Sequence, residues 1–380
     1  MTTEPDFACT MDGEADKVLE GIFAVAKPAH VSSAHVLLKL QAAFAPSATF
    51  APLLATQPKR TTKSPDQVFR LGHGGTLDPL AAGVLIVGIG RGTKQLSRYL
   101  ACSKIYETVV LFGASTDTYD CTGAITNEAD SSHVTKELVD EKLAAFRGTI
   151  QQTPPLYSAL KINGVKACEY ARQGKSLPRD LESREMHVDE CTLLEWYGPG
   201  QHDFTWPTKD EPALAPAARI RLTVSSGFYV RSFANDLGVA CGTYSHMASL
   251  LRTRQADFTA SDPPEAPGLV PALTYAHLEA GEAVWASKLR PQLQNWVASN
   301  PVAQGHVNGR DASVKRKAEE QEAKPRQRFR GEWVAETKKE RIKQQGGKFK
   351  GKWGRKPTPT VVNGDTGEQP TPTMGDASQP

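Results

Sequence analysis

The chain has 380 residues, 39% hydrophobic and 23% charged, enough apolar content for a substantial core in one large domain or two. No run reaches the apolar length of a bilayer span, and the acidic stretch from Met1 to Asp16 is unlike an Arg- and Ser-rich presequence, which weighs against secretion and a standard mitochondrial leader. The net charge of +3 is unevenly spread: Arg310 to Lys356 holds 17 Lys/Arg against 7 Asp/Glu, or +10, so the remainder carries −7 and any anion-binding cleft there is a local patch.

In chain order, Val36, Leu37, Leu40 and Phe44 follow Ser33 at helical spacing and predict a first helix capped by Ser33. The Pro-, Thr- and Lys-rich stretch from Ala45 to Asp66 reads as a surface loop. The run Gly72-His73-Gly74-Gly75-Thr76-Leu77-Asp78-Pro79-Leu80-Ala81-Ala82-Gly83 puts one carboxylate on a glycine-rich, proline-closed loop, and Val84 to Val87 then reads as a buried strand. A phosphate-binding loop would end in Lys-Ser/Thr, which is missing, and Gly88-Ile89-Gly90-Arg91-Gly92-Thr93 has Thr where a dinucleotide site needs its third glycine. Taken alone, Asp78 is as well explained as a turn-capping side chain.

Ile105 to Gly113 reads as a strand, and Val134 to Phe146 as a helix stopping near Gly148. The Pro- and Ala-rich stretch from 198 to 218 reads as a second surface excursion. Ile220, Leu222 and Val224 alternate as in a strand, Gly227 breaks the run, and Phe233, Leu237 and Cys241 predict a helix, so Tyr229 and Arg231 are placed at a strand end. From about Asn300 the composition turns polar, with two matching hexads, Arg328-Phe329-Arg330-Gly331-Glu332-Trp333 and Lys348-Phe349-Lys350-Gly351-Lys352-Trp353. Aromatics among cations suit single-stranded RNA; a solvated disordered tail is the other reading. Lys315-Arg316-Lys317 has the form of a nuclear import cluster. The six cysteines form no C-x-x-C pair and the nine histidines no H-x-x-x-H pair, so no metal and no disulfide framework is expected, in keeping with a reducing compartment.

The segment Gly72 to Lys94 resembles the signature loop of the TruB-type tRNA pseudouridine synthases, and further segments follow in that family's order. Gly21 to Pro28 with Ser32-Ser33 resembles its opening strand and turn. Lys104-Ile105-Tyr106-Glu107, running to Gly113 and Thr116-Asp117-Thr118, resembles the strand with its active-site tyrosine. Gln152 to Lys161 with Tyr170 to Gly174, then Ser226 to Ser232 and Leu250-Leu251-Arg252, complete the pattern over about residues 20 to 258.

The resemblance implies a mixed α/β pseudouridine synthase fold with a central, mostly antiparallel sheet flanked by helices. It implies Asp78, Tyr106 and Arg231 as catalytic residues, with His73, Tyr229, Leu251 and Lys27 toward the substrate. A carboxylate suits the chemistry because it handles charge at a sugar C1′, by attack or by removing a neighbouring proton. Arg231 would keep Asp78 ionised. Tyr106 would lie against the uracil and assist at C5, and His73 would fill the gap left by an extruded base, or hydrogen-bond within its own loop. Tyr229 and Leu251 would line the pocket. Lys27 would contact phosphate or support the loop.

The Gly-His-Gly-Gly form, and the short distance from Phe258 to the polar tail, resemble the eukaryotic stand-alone branch, which modifies uridine 55 of the tRNA T loop without guide RNA or cofactor. The expected organisation is an acidic extension over 1–19, a catalytic domain over 20–299 with inserted loops about 45–66 and 198–218, and a basic, disordered tail over 300–380. The expected protein is a monomeric enzyme of nucleus or cytoplasm acting on tRNA, with mRNA substrates and a mitochondrial pool left open. The alternatives are a non-catalytic tRNA-folding factor and a guide-RNA-dependent synthase subunit.

Overall fold

The computed structural model describes residues 18–56, 67–207 and 213–301. The N-terminal extension, parts of both inserted loops, the import-like cluster and the hexad-bearing tail lie outside the described residues. Among the described residues no helix is long and apolar enough to cross a membrane.

The core elements are β1 (Gly21–Lys27), α1 (Ser33–Phe44), α2 (Ala51–Thr56), β2 (Leu71–His73), β3 (Ala82–Ile89), α3 (Leu96–Ala101) and β4 (Lys104–Phe112). A small hairpin, β5 (Ala114–Thr116) with β6 (Ile125–Glu128), precedes α4 (Lys136–Leu143) and β7 (Gly148–Gln152). A second one, β8 (Lys161–Ile162) with β9 (Val165–Lys166), leads into α5 (Ala167–Arg172). Then come β10 (Arg184–Tyr197), β11 (Ala217–Val224), α6 (Val230–Ala240), β12 (Ser245–Gln255), β13 (Phe258–Thr259), β14 (Val270–Pro271), α7 (Tyr275–Glu279) and α8 (Glu282–Ser299).

The main sheet runs β1-β3-β12-β4-β11-β10-β7, antiparallel except where β12 meets β3 in parallel at Leu251–Ala82 and Arg252–Gly83. This is the mixed α/β, mostly antiparallel architecture expected. Period-2 patterning carries β11, where Ala218, Ile220, Leu222 and Val224 face α4 and α6 in one core cluster. At the other end, Phe23, Val25, Leu85 and Val87 pack on α1 and α8 through Val36, Leu40, Phe44, Trp285 and Leu289. Burying this second layer clamps β3, the strand that follows the Asp78 loop, and its partner β1.

Four expectations change. Ser32, not Ser33, caps α1, accepting from His35 N at 3.1 Å, which frees Ser33 for another use. The stretch from Ala45 to Thr56 is not a surface loop: Phe50 is fully buried and stacks on Trp285 at 5.9 Å, because one aromatic outweighs its polar neighbours. In the second excursion Phe204, Trp206, Ala213 and Ala215 pack over Val109 and Leu111, and Ala217 and Ala218 already belong to β11. Arg231 sits in the first turn of α6 rather than at a strand end, with Tyr229 as its N-cap residue.

Candidate active site

The loop from Gly74 to Ala81 has little regular structure, so its shape depends on side chains that reach its carbonyls from elsewhere. Gln255 Nε2 donates to Gly74 O at 2.7 Å and to Tyr99 O of α3 at 2.8 Å. Arg252, 1% exposed, donates to Gly75 O at 3.2 Å and to Val84 O at 2.7 Å. Ser33 Oγ accepts from Leu77 N and donates to Leu77 O, both at 3.0 Å. Lys27 Nζ donates to Pro79 O at 3.1 Å and to Pro28 O and Val31 O. Each leg of the loop is thus tied to the sheet or to α1, and these bonds satisfy main-chain groups that burial would otherwise penalise.

Arg231 Nε lies 2.8 Å from Asp78 Oδ2 and 3.8 Å from Asp120 Oδ2. Its Nη1 donates to Thr118 O at 3.0 Å and its Nη2 to Tyr157 O at 2.9 Å. The Asp120 carboxylate is fixed in turn by Thr118 Oγ1 at 2.8 Å and by Thr122 N and Oγ1 at 3.0 and 2.6 Å. The guanidinium is therefore immobile and buried, whereas the Asp78 side chain keeps 36% of its surface accessible. A charge-assisted pair in which one partner is locked and the other is open presents an oriented carboxylate oxygen to a ligand.

Tyr106 on β4 is buried and belongs to the same hydrophobic cluster as Leu77, Leu80 and Ala81 of the loop and Leu250 of β12. Gln152 fixes Tyr229 through both backbone groups, accepting from its N at 2.8 Å and donating to its O at 3.0 Å. His73, half-buried on β2, has an Nδ1 with no hydrogen-bond partner, and burial, then the nearby Arg252, lowers its pKa. The lowered pKa favours the neutral, singly protonated ring.

Two expectations about site residues are corrected. Lys27 is 1% exposed with Nζ committed to three carbonyls, so it supports the loop and does not meet phosphate. Leu251 pairs opposite Glu107, on the sheet face away from Tyr106, while its neighbour Leu250 shares the Tyr106 cluster. Successive strand residues point to opposite faces, so an offset of one reverses the assignment.

Asp120, Gln152 and Gln255 carry no sequence signal beyond lying within or beside the motifs above, and Arg252 none beyond its place in one. No group of three or more His, Cys, Asp or Glu side chains among the described residues is placed to hold a metal ion.

Residues 60–230 match the model of the TruB family pseudouridylate synthase N-terminal domain. The chain is 34% identical to tRNA pseudouridine synthase 4 of Schizosaccharomyces pombe, over 64% of this chain and 80% of that protein. It is 40% identical to tRNA pseudouridine synthase B of Gloeobacter violaceus, over 56% of this chain and 64% of that protein. Among solved structures, a chain from the crystal structure of a Cbf5-Nop10-Gar1 complex aligns with a TM-score of 0.43 and 21% identity, covering 68% of this chain and 54% of that one.

Proposed function

Because the chain belongs to the TruB family of pseudouridylate synthases, we propose that it converts uridine 55 of the tRNA T loop to pseudouridine, with Asp78 as the catalytic carboxylate. The observation that carries this reading is the 2.8 Å contact between the accessible Asp78 carboxylate and the buried, fully anchored Arg231.

Uridine and pseudouridine are isomers, so no oxidant, reductant or group donor enters the balance. The bond from N1 to C1′ breaks, the uracil turns, C5 bonds to C1′, the C5 proton leaves, and N1 ends with a proton, so the count of hydrogens is unchanged. Asp78 is the group available to act at the sugar, either by bonding C1′ or by taking a neighbouring ribose proton. Arg231 holds the carboxylate in one orientation through both routes, so no reorganisation is needed when charge develops. Tyr106 offers an aromatic wall for the turning base and a phenol for the C5 proton. The target must leave its stack to reach this position, and His73, on the adjoining strand, is the side chain that takes the vacated place.

The test is pseudouridine formation on an unmodified tRNA transcript by the purified full chain without added guide RNA or cofactor, with Asp78→Asn beside wild type and the modified position mapped. T-loop product that vanishes in a variant still binding tRNA supports the reading. A folded, tRNA-binding wild type without product would overturn it in favour of a binding factor or a guide-dependent enzyme.

A further inference from the structure

Tyr119 has a backbone φ of +61°, the left-handed region that a bulky L-residue rarely enters. The surroundings over-determine it: Tyr119 N donates to Thr116 O at 3.2 Å, and Tyr119 O accepts from Met247 N at 3.0 Å. Its neighbours explain why the chain turns there, since Thr118 O and the Asp120 carboxylate both face Arg231. The turn accounts for the backbone and not for the side chain, because Gly would adopt the same angles without strain.

The residue is half-buried and belongs to none of the hydrophobic clusters of the described residues. It makes no aromatic pair, and its hydroxyl has no hydrogen-bond partner among the described residues. A large side chain kept at a strained position beside the catalytic ion pair, with no aromatic or hydrogen-bond partner among the described residues, is available to meet a ligand. Burial, then the charge of Asp236 on α6, raises the phenol pKa, and the carbonyl of the adjacent Thr118 accepts from Arg231.

We propose that Tyr119 is a substrate-binding residue whose ring stacks on an unpaired base flanking the uridine that enters the Asp78 site. Aromatic side chains recognise splayed bases in this way, and extrusion of one nucleotide leaves its neighbours without a stacking partner. The inference rests on the tRNA reading above.

The test uses the full chain with Tyr119→Gly, which keeps the left-handed backbone and removes the ring, and Tyr119→Phe, which keeps the stack. Binding of an unmodified tRNA transcript is read by fluorescence anisotropy without turnover, and KM and kcat by product formation. Tyr119→Gly should raise Kd and KM about tenfold with kcat within about twofold of wild type, and Tyr119→Phe should match wild type. Tyr119→Asn, which also tolerates these angles, should repeat the Gly result if the Gly variant folds poorly. Wild-type Kd and KM in Tyr119→Gly, or a loss confined to kcat, would overturn the proposal. If wild type binds tRNA without modifying it, the proposed function fails while the binding comparison still judges the ring.

Discussion

Arg231 stands between two carboxylates with unequal freedom: it reaches Asp78 at 2.8 Å in an accessible position, and Asp120, at 3.8 Å, in a buried one. Asp120 is out of reach of a substrate and acts on the reaction through the guanidinium. Asp120→Asn should therefore lower kcat about tenfold or more, equivalent to ~1.4 kcal/mol of weakened positioning, with tRNA Kd unchanged. Single-turnover rates with a parallel binding titration separate the two; a change in Kd alone would refute the positioning role.

Arg252 grips the loop through Gly75 O and Val84 O, and Gly83 lies against it at a φ of +103°, where an added Cβ would sit 2.2 Å from Arg252 O. Gly83→Ala must displace backbone at a position that also disfavours L side chains. It should cost about 3 kcal/mol or more in urea denaturation, at the upper end of single substitutions. A loss under about 1 kcal/mol would show that β3 and β12 separate easily.

Lys27 carries a pH signature. Burial pushes its pKa from 10.5 down to about 8, against the pull of Asp78 and with Arg252 adding to the fall. Below pH 8 the amine is charged in both folded and unfolded chains, so the burial penalty is fully present. Between about 8 and 10.5 the unfolded chain holds the proton and the folded one does not, so the contribution of this residue to stability rises with pH. The stability difference between wild type and Lys27→Met should shift toward wild type by up to about 1.4 kcal/mol per pH unit in that window. Paired denaturation curves at pH 7.5, 9 and 10 would show it, and a flat difference would place the lysine pKa at its ordinary value.

The tail hexads give a prediction from sequence and charge alone. With +10 over Arg310 to Lys356, neutralising Arg328, Arg330, Lys348, Lys350 and Lys352 should weaken tRNA binding most at low salt. The slope of log Kobs against log salt should flatten by about 0.7 for each phosphate that the tail no longer neutralises. An unchanged slope would remove the tail from RNA binding.

Much of the sheet was legible because β3, β4 and β11 carry their burial in their own residue patterns, and α4 and α6 their helical spacing. Asp78 and Arg231 came from resemblance to a family, since nothing in their separation along the chain announces a 2.8 Å contact. Composition misled at Phe50, a fully buried aromatic, and at Phe204 and Trp206, which pack half-buried over Val109 and Leu111, each set within a polar stretch. Leu251 was placed on the wrong face because two adjacent leucines differ only by strand register. The loop-holding roles of Arg252, Gln255 and Ser33 were not legible because each acts on a carbonyl or amide far away in sequence, and a main-chain partner leaves no trace in side-chain spacing.

The parallel contact of β12 with β3 also sets an order of events during synthesis. Arg252 and Gly75 are 177 residues apart, so this tie on the loop forms only after β1 to β11 have been made. A ribosome-bound polypeptide that has emerged past Asp78, Tyr106 and Arg231 already owns its chemical groups. Until the segment ending at Gln255 clears the exit tunnel, β12 is missing from between β3 and β4, and the half of the sheet that follows the Asp78 loop is not joined to the half that carries Tyr106.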